Sequence, residues 1–153
     1  MIGTSAIVYR NLYLNNTHAN GAVLGAAITA VDVTGDIHIQ SGLFDNGSFA
    51  IAGNAGRSFI VDNGATFQMP GSTFPTVFGT FTFGATSITK YLQATAKTVS
   101  AQTYGHLYVQ PAGNVYHSMT AATVTVQGDL VVGNGVNTKE INDTKKPSPC
   151  SYL

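Results

Sequence analysis

The side chains that could move a proton or hold a metal here are few: seven acids and four histidines in 153 residues. The acids are Asp32, Asp36, Asp45, Asp62, Asp129, Glu140 and Asp143. Cleaving a polysaccharide on an extended β surface would need two of them paired, or an Arg, Lys and Asp cluster on one face. Asp36 and Asp129 each follow a glycine in two similar stretches, so they read first as turn partners. Asp36 and His38 would share one strand face, but Asp-x-His without a further ligand makes a solvated surface rather than a metal site. Asp45 and Asp62 head two Asp-Asn-Gly turns, without the Gly-Gly-x-Gly-x-Asp pattern of calcium-binding coils. Gly53 to Ser58 has the glycines of a phosphate loop, yet it is two residues short, carries Arg57 where lysine belongs and precedes no helix. His18, His38, His106 and His117 make no triad spacing with a serine and a carboxylate, and Gly-x-Ser-x-Gly is absent. The chain therefore reads as non-enzymatic, with no metal and no cofactor.

A different chemistry is suggested by tyrosines. If Leu12 and Leu14 face a core, strand parity places Tyr9, Asn11 and Tyr13 outward, and likewise Tyr104, His106 and Tyr108. An outward row of tyrosines with polar neighbours suits a sugar platform or a lateral protein contact, because each ring is apolar while its hydroxyl stays wet. Ordinary cross-strand tyrosine packing on an exposed sheet is the plainer reading of the same row.

The elements that must position these residues are strands. Val31, Val33, Ile37 and Ile39 alternate with Asp32, Thr34, Asp36 and His38, the period-two pattern of a half-buried sheet. The pattern returns at Val124 to Val132, and Tyr9-Arg10-Asn11-Leu12-Tyr13-Leu14 returns as Tyr104-Gly105-His106-Leu107-Tyr108-Val109. The offsets are 93 and 95 residues, which divides residues 1–136 into two partial copies of one unit. Between them a small residue precedes phenylalanine repeatedly, as in Ser48-Phe49, Ser58-Phe59, Thr66-Phe67 and Thr80-Phe81. Asp45-Asn46-Gly47 and Asp62-Asn63-Gly64 supply tight turns 17 residues apart. Strand, turn and strand at intervals of about 15 to 20 residues predict an all-β solenoid whose Phe and Val side chains stack in ladders. An antiparallel β-sandwich is the alternative. No segment keeps a helical period.

Composition agrees. Charged residues are 9% of the chain, against about 25% in an ordinary domain. Net charge is zero, which gives no electrostatic basis for binding nucleic acid and removes the repulsion that keeps proteins apart. No apolar run reaches the length of a membrane span, so no membrane insertion is expected. The start has no signal-peptide pattern; a secreted form would have lost its leader, or the sequence is part of something longer. Residues 137–153 differ, being polar and proline-containing, and form a candidate cap or intersubunit clasp carrying Asn137, Lys139, Glu140, Lys145, Lys146, Cys150 and Tyr152. Cys150 is the single cysteine, so an internal disulfide is excluded.

Gly79-Thr80-Phe81-Thr82-Phe83, the Tyr104 to Val109 strand and Val124-Thr125-Val126-Gln127-Gly128-Asp129-Leu130 together resemble the β-solenoid-like repeats of large secreted surface proteins and adhesins of Bacteroidota-type bacteria. Tyr9 to Ile39 resembles the same pattern, with Asn11 where the second copy has His106. The resemblance implies an extracellular or cell-surface repeat used for structure or attachment. The function expected is a structural subunit that associates head to tail into a homopolymeric filament or surface layer. The alternative is a carbohydrate-binding, adhesive module with a polysaccharide partner.

Overall fold

Runs of Thr, Val, Ile and Phe favour extended backbone, and here each run is only two to nine residues long before a bend or turn interrupts it. Such strands cannot form a broad flat sheet alone, but they can pair with the equivalent strand of the next turn of a winding chain. The computed structural model describes residues 7–133 and, as backbone, residues 141–142, and among these there is no helix. The chain is a β-solenoid of about six turns. No helix of the described residues is long and apolar enough to cross a membrane.

The first turn carries β1 (Leu12–Asn16) and β2 (Ala22–Val23), and the second carries β3 (Ile37–Asp45), which rounds a corner within its length. The third carries β4 (Ser58–Val61) and β5 (Thr66–Met69). The fourth has β6 (Thr80–Phe83), β7 (Ile88–Tyr91) and β8 (Thr98–Val99). The fifth has β9 (Thr103–Tyr104), β10 (His106–Val109) and β11 (His117–Met119), and the sixth β12 (Thr125–Val126), β13 (Leu130–Val132) and β14 (Ile141–Asn142). Three faces result. Face 1 stacks Leu12 on Ile37, Phe59 and Phe81. Face 2 stacks Ala22, Phe44, Phe67, Thr89, Leu107 and Leu130. Face 3 begins as bridges, Ile28 to Ile51 and Ala52 to Thr76, and continues as β8, β11 and β14. Every pairing among the described residues is parallel, as it must be when a chain crosses each face always in one direction, and this excludes the antiparallel sandwich.

The inward columns form the core. Phe44 and Phe67 stack with centroids 5.9 Å apart, while Phe59 meets Phe67 and Phe78 edge-on at 5.0 and 5.6 Å. Such pairs add about 0.5–1.5 kcal/mol each beyond the area they bury. Glycine lets the corners close. A Cβ on Gly35 would collide with the Asn11 Oδ1 of the turn above, and Gly42 at φ 72° sits as tightly on the Asn16 carbonyl.

Three expectations need correction. First, a full turn takes 22 residues where Ile37, Phe59 and Phe81 stack, not 15 to 20. Asp45-Asn46-Gly47 therefore ends the face 2 part of β3 and Asp62-Asn63-Gly64 follows β4 on face 1, so the two turns are alike in chemistry but not stacked. Second, Val31 is not in a strand: Thr29 donates its backbone N–H and hydroxyl to the Asp32 carboxylate at 2.8 and 2.6 Å, and the resulting turn leaves Val31 72% exposed. Third, the two sequence copies do not occupy one place in the coil. Leu12 lies on face 1, whereas Leu107 lies on face 2 after the chain bends at Gly105. Four turns of 22 residues leave a remainder of seven in the offset of 95, about one face. What repeats is a corner module, used at two different corners. The candidate tail residues Asn137, Lys139, Glu140, Lys145, Lys146, Cys150 and Tyr152 lie outside the described residues; within that segment the backbone of β14 pairs with β11.

Among the described residues the ladder is unbroken on face 2 alone. From Ile88 to its partner His106 is 18 residues, four fewer than the 22 from Thr66 to Ile88 in the turn before it. The short turn cannot follow the one before it all the way round. After Leu92, whose N–H still reaches the Met69 carbonyl at 3.1 Å, the chain loses backbone pairing with the turn before it, so β9 and β12 form a separate pair on face 1, and β8, β11 and β14 a separate sheet on face 3. A seam opens there between Thr73–Thr76 above and Lys97–Ala101 below, lined on both sides.

Candidate functional site

The tyrosine row does not form. Parity holds only along an unbroken strand, and the chain bends at Arg10 and at Gly105. Tyr9 turns back to pack against the core and bridges Val33, and Tyr104 is fully buried. Both were expected outward. Gly105 allows its bend because a Cβ there would collide with the Gly84 carbonyl oxygen. Tyr13, 56% exposed, and Tyr108, half-buried, do point outward, but from face 1 and face 2 respectively. Asn11 and His106 play the same structural part. Asn11 Oδ1 accepts the Asp36 N–H at 3.0 Å and His106 Nδ1 accepts the Asp129 N–H at 2.9 Å, each from the next turn. An Nδ1 that accepts is unprotonated, so its 3.2 Å approach to the Asp129 carboxylate is no ion pair in that tautomer.

Two outward stripes replace the row. On face 2, Asp45, Gln68, Lys90 and Tyr108 stand in register on successive turns. Gln68 Nε2 donates to Asp45 Oδ2 at 2.6 Å, and Lys90 Nζ lies 5.7 Å from the Tyr108 ring centre, within cation–π range. On face 1, Tyr13 tilts against His38 at 5.7 Å, and His38 Nε2 comes within 2.8 Å of Asp62 Oδ2. That nitrogen has no aligned hydrogen bond, so the contact acts by charge and only when the ring is protonated. Exposed pairs of this kind contribute about 0–1 kcal/mol.

The seam forms a concave surface in two connected parts. A cleft of about 400 Å³ is lined by Phe74, Tyr91, Gln93, Lys97, Tyr116 and hydroxyl residues, and a second, of about 440 Å³, adjoins it through Thr73, Phe74 and Thr98. Phe74 lies near-parallel to Tyr91 at its inner side, and behind the lining Tyr104 packs edge-on to Phe74, 6.5 Å from it, and 5.1 Å from Phe83. The two buried phenols close a ring of hydrogen bonds. Ser100 N–H donates to Tyr91 at 3.1 Å, and the Tyr104 hydroxyl donates to the Ser100 carbonyl at 2.9 Å. The remaining 3.0 Å contact must then run from the Tyr91 hydroxyl to the Tyr104 oxygen. Burial pushes the Tyr91 phenol up to about 12 and Tyr104 higher still. Beside them Gln93, fully buried, gives its Nε2 to the Ser72 carbonyl at 2.8 Å, while its Oε1 has no hydrogen-bond partner among the described residues. His117 Nδ1 accepts the Lys97 N–H at 3.1 Å, and burial, aided by the Lys97 charge, holds this imidazole below its usual pKa.

Among the described residues no three His, Cys, Asp or Glu side chains come together as a metal site. Asp36 is engaged in the fold, its Oδ1 accepting the Ser58 N–H of the next turn at 2.8 Å. Reading the sequence overlooked Phe74, Tyr91, Gln93, Lys97 and Tyr116. The signal was present as a miscount: the spacing between inward positions falls from 22 to 18 just where tyrosines and a glutamine replace Phe, Val and Met in the columns. Compared with protein-family models, with curated proteins and with solved structures, the chain matches none.

Proposed function

We propose that this chain is a non-enzymatic, extracellular structural protein whose solenoid joins head to tail with further copies in a filament or surface layer. The supporting observation lies at the last described rung of face 2. Leu130 and Val132 continue the columns of Leu107 and Val109, which are fully buried, yet they are 49% and 42% exposed. At the other end β2, the face 2 strand of the first turn, pairs on one side only among the described residues. A second copy laying its first turn on β13 adds the next rung, satisfies that open edge and buries both side chains. Zero net charge leaves little repulsion to oppose the contact. Size-exclusion chromatography with light scattering and negative-stain microscopy test the reading across concentration. Assembly should grow with concentration and be lost in Leu130→Lys with Val132→Lys; a full-length chain that stays monomeric throughout overturns it.

A second reading, a carbohydrate-binding and adhesive module, is favoured by the Asp45, Gln68, Lys90 and Tyr108 stripe, where an aromatic ring, a cation and an amide share one flat face. Glycan-array binding that Tyr108→Ala removes would support that stripe as its surface.

A further inference from the structure

We infer that the cleft at the seam is a saccharide-binding site that prefers a sugar carrying a carboxylate. This rests on the carbohydrate-binding reading and places its site away from the stripe. Where the short turn leaves its neighbour, a surface that is elsewhere closed by strand pairing opens between Thr73–Thr76 and Lys97–Ala101. The opening of about 400 Å³ falls within the range of small-ligand pockets, and its neighbour of about 440 Å³ continues it along the seam.

The lining presents the two sides of a pyranose with what each requires. Phe74, half-buried, offers ring surface inside, backed by the buried Tyr91, and Tyr116, 43% exposed, offers it at the mouth, where the apolar C–H face of a sugar can lie. Gln93 supplies a buried carbonyl oxygen with no partner among the described residues, fixed in place because its amide nitrogen is held by Ser72. A buried acceptor of this kind is satisfied by a donor that enters the cleft, and a sugar hydroxyl is such a donor. Thr98 and Ser118, 3.0 Å apart across their hydroxyls, give and accept further hydrogen bonds at the same wall. The charge preference follows from Lys97. Among the described residues it is the one charged side chain lining either part of the cleft, and no carboxylate lines it in opposition, so an acidic sugar gains where a neutral one does not.

The test is binding of oligogalacturonates and of neutral cello-oligosaccharides to the full chain by calorimetry. The proposal expects the acidic series to bind at least tenfold tighter. Tyr116→Ala should weaken it tenfold or more, Lys97→Gln should erase the acidic preference, and Tyr108→Ala on face 2 should change nothing. These three positions lie at or near the surface, and circular dichroism of each variant confirms the fold. Binding lost in Tyr108→Ala but kept in Tyr116→Ala overturns the cleft while leaving carbohydrate binding intact. Equal affinity for both series overturns the acidic preference, and no binding of either series overturns both the cleft and the reading beneath it.

Discussion

Above the seam and at it, the same strategy of stacked inward side chains is carried out with different chemistry. In the second and third turns the columns hold Ile37, Phe59, Phe44 and Phe67, which need only volume and shape to pack. At the seam the buried side chains include Tyr91, Tyr104 and Gln93, whose phenol oxygens and amide nitrogen take hydrogen-bond partners. The difference teaches why a register fault can survive in a solenoid. Where strand pairing stops, backbone groups lose their partners, and side chains that carry both bulk and hydrogen-bonding groups can fill the gap and satisfy some of them. Ser100 does this most fully, since both its N–H and its carbonyl are taken up by phenols.

The contrast can be broken most strongly from the apolar side. Phe67→Ala removes a ring that packs on both Phe44 and Phe59, and should cost about 3–5 kcal/mol in denaturant unfolding. Next in size is an effect of pH confined to the seam. Unfolded phenols titrate near 10, whereas folded Tyr91 titrates at about 12. Between those values the unfolded chain gives up protons that the folded chain keeps, so stability is whole below pH 10 and falls above it. The loss from Tyr91 alone should approach about 3 kcal/mol by pH 12, seen as a falling denaturation midpoint. Tyr91→Phe is smaller: it leaves the Ser100 N–H without its acceptor and Tyr104 without its donor, for about 1–3 kcal/mol, and it should flatten the alkaline decline as well. The smallest change has the opposite sign. Val77, next to Thr76 at the upper lip of the seam, is an exposed β-branched residue at φ 67°. Val77→Gly should relieve that conformation and raise stability by about 1 kcal/mol; a loss would show that the strain is not borne there.

Much of the fold is legible in the chain because each short strand announces itself locally. Leu12 and Leu14, Ile37 and Ile39, and Phe59 and Val61 all alternate correctly and all face inward. The Asp-Asn-Gly turns are legible too, with Asp45 Oδ1 accepting the Gly47 N–H at 2.7 Å and Gly64 at φ 77°. What is lost is phase. Every bend resets the alternation, so parity carried from Leu12 back through Arg10 to Tyr9, or from Leu107 back through Gly105 to Tyr104, gives the wrong face. The cleft was illegible for a related reason. It depends on how many residues separate one rung from the next, and that count has meaning only once the length of a turn is known from pairings such as Ile37 with Phe59.

The unbroken ladder of face 2 has a mechanical consequence. At the level of the seam one ladder, from Ile88–Tyr91 to His106–Val109, joins the upper turns to the lower, whereas between the second and third turns face 1 and face 2 are both laddered and face 3 adds a bridge. The rod is therefore a stiff beam with one leaf hinge, its pin along face 2. A pull along the long axis should part it at this level before any other. In single-molecule stretching the first rupture should divide the chain between Tyr91 and His106, and Tyr91→Phe should lower the force at which it occurs.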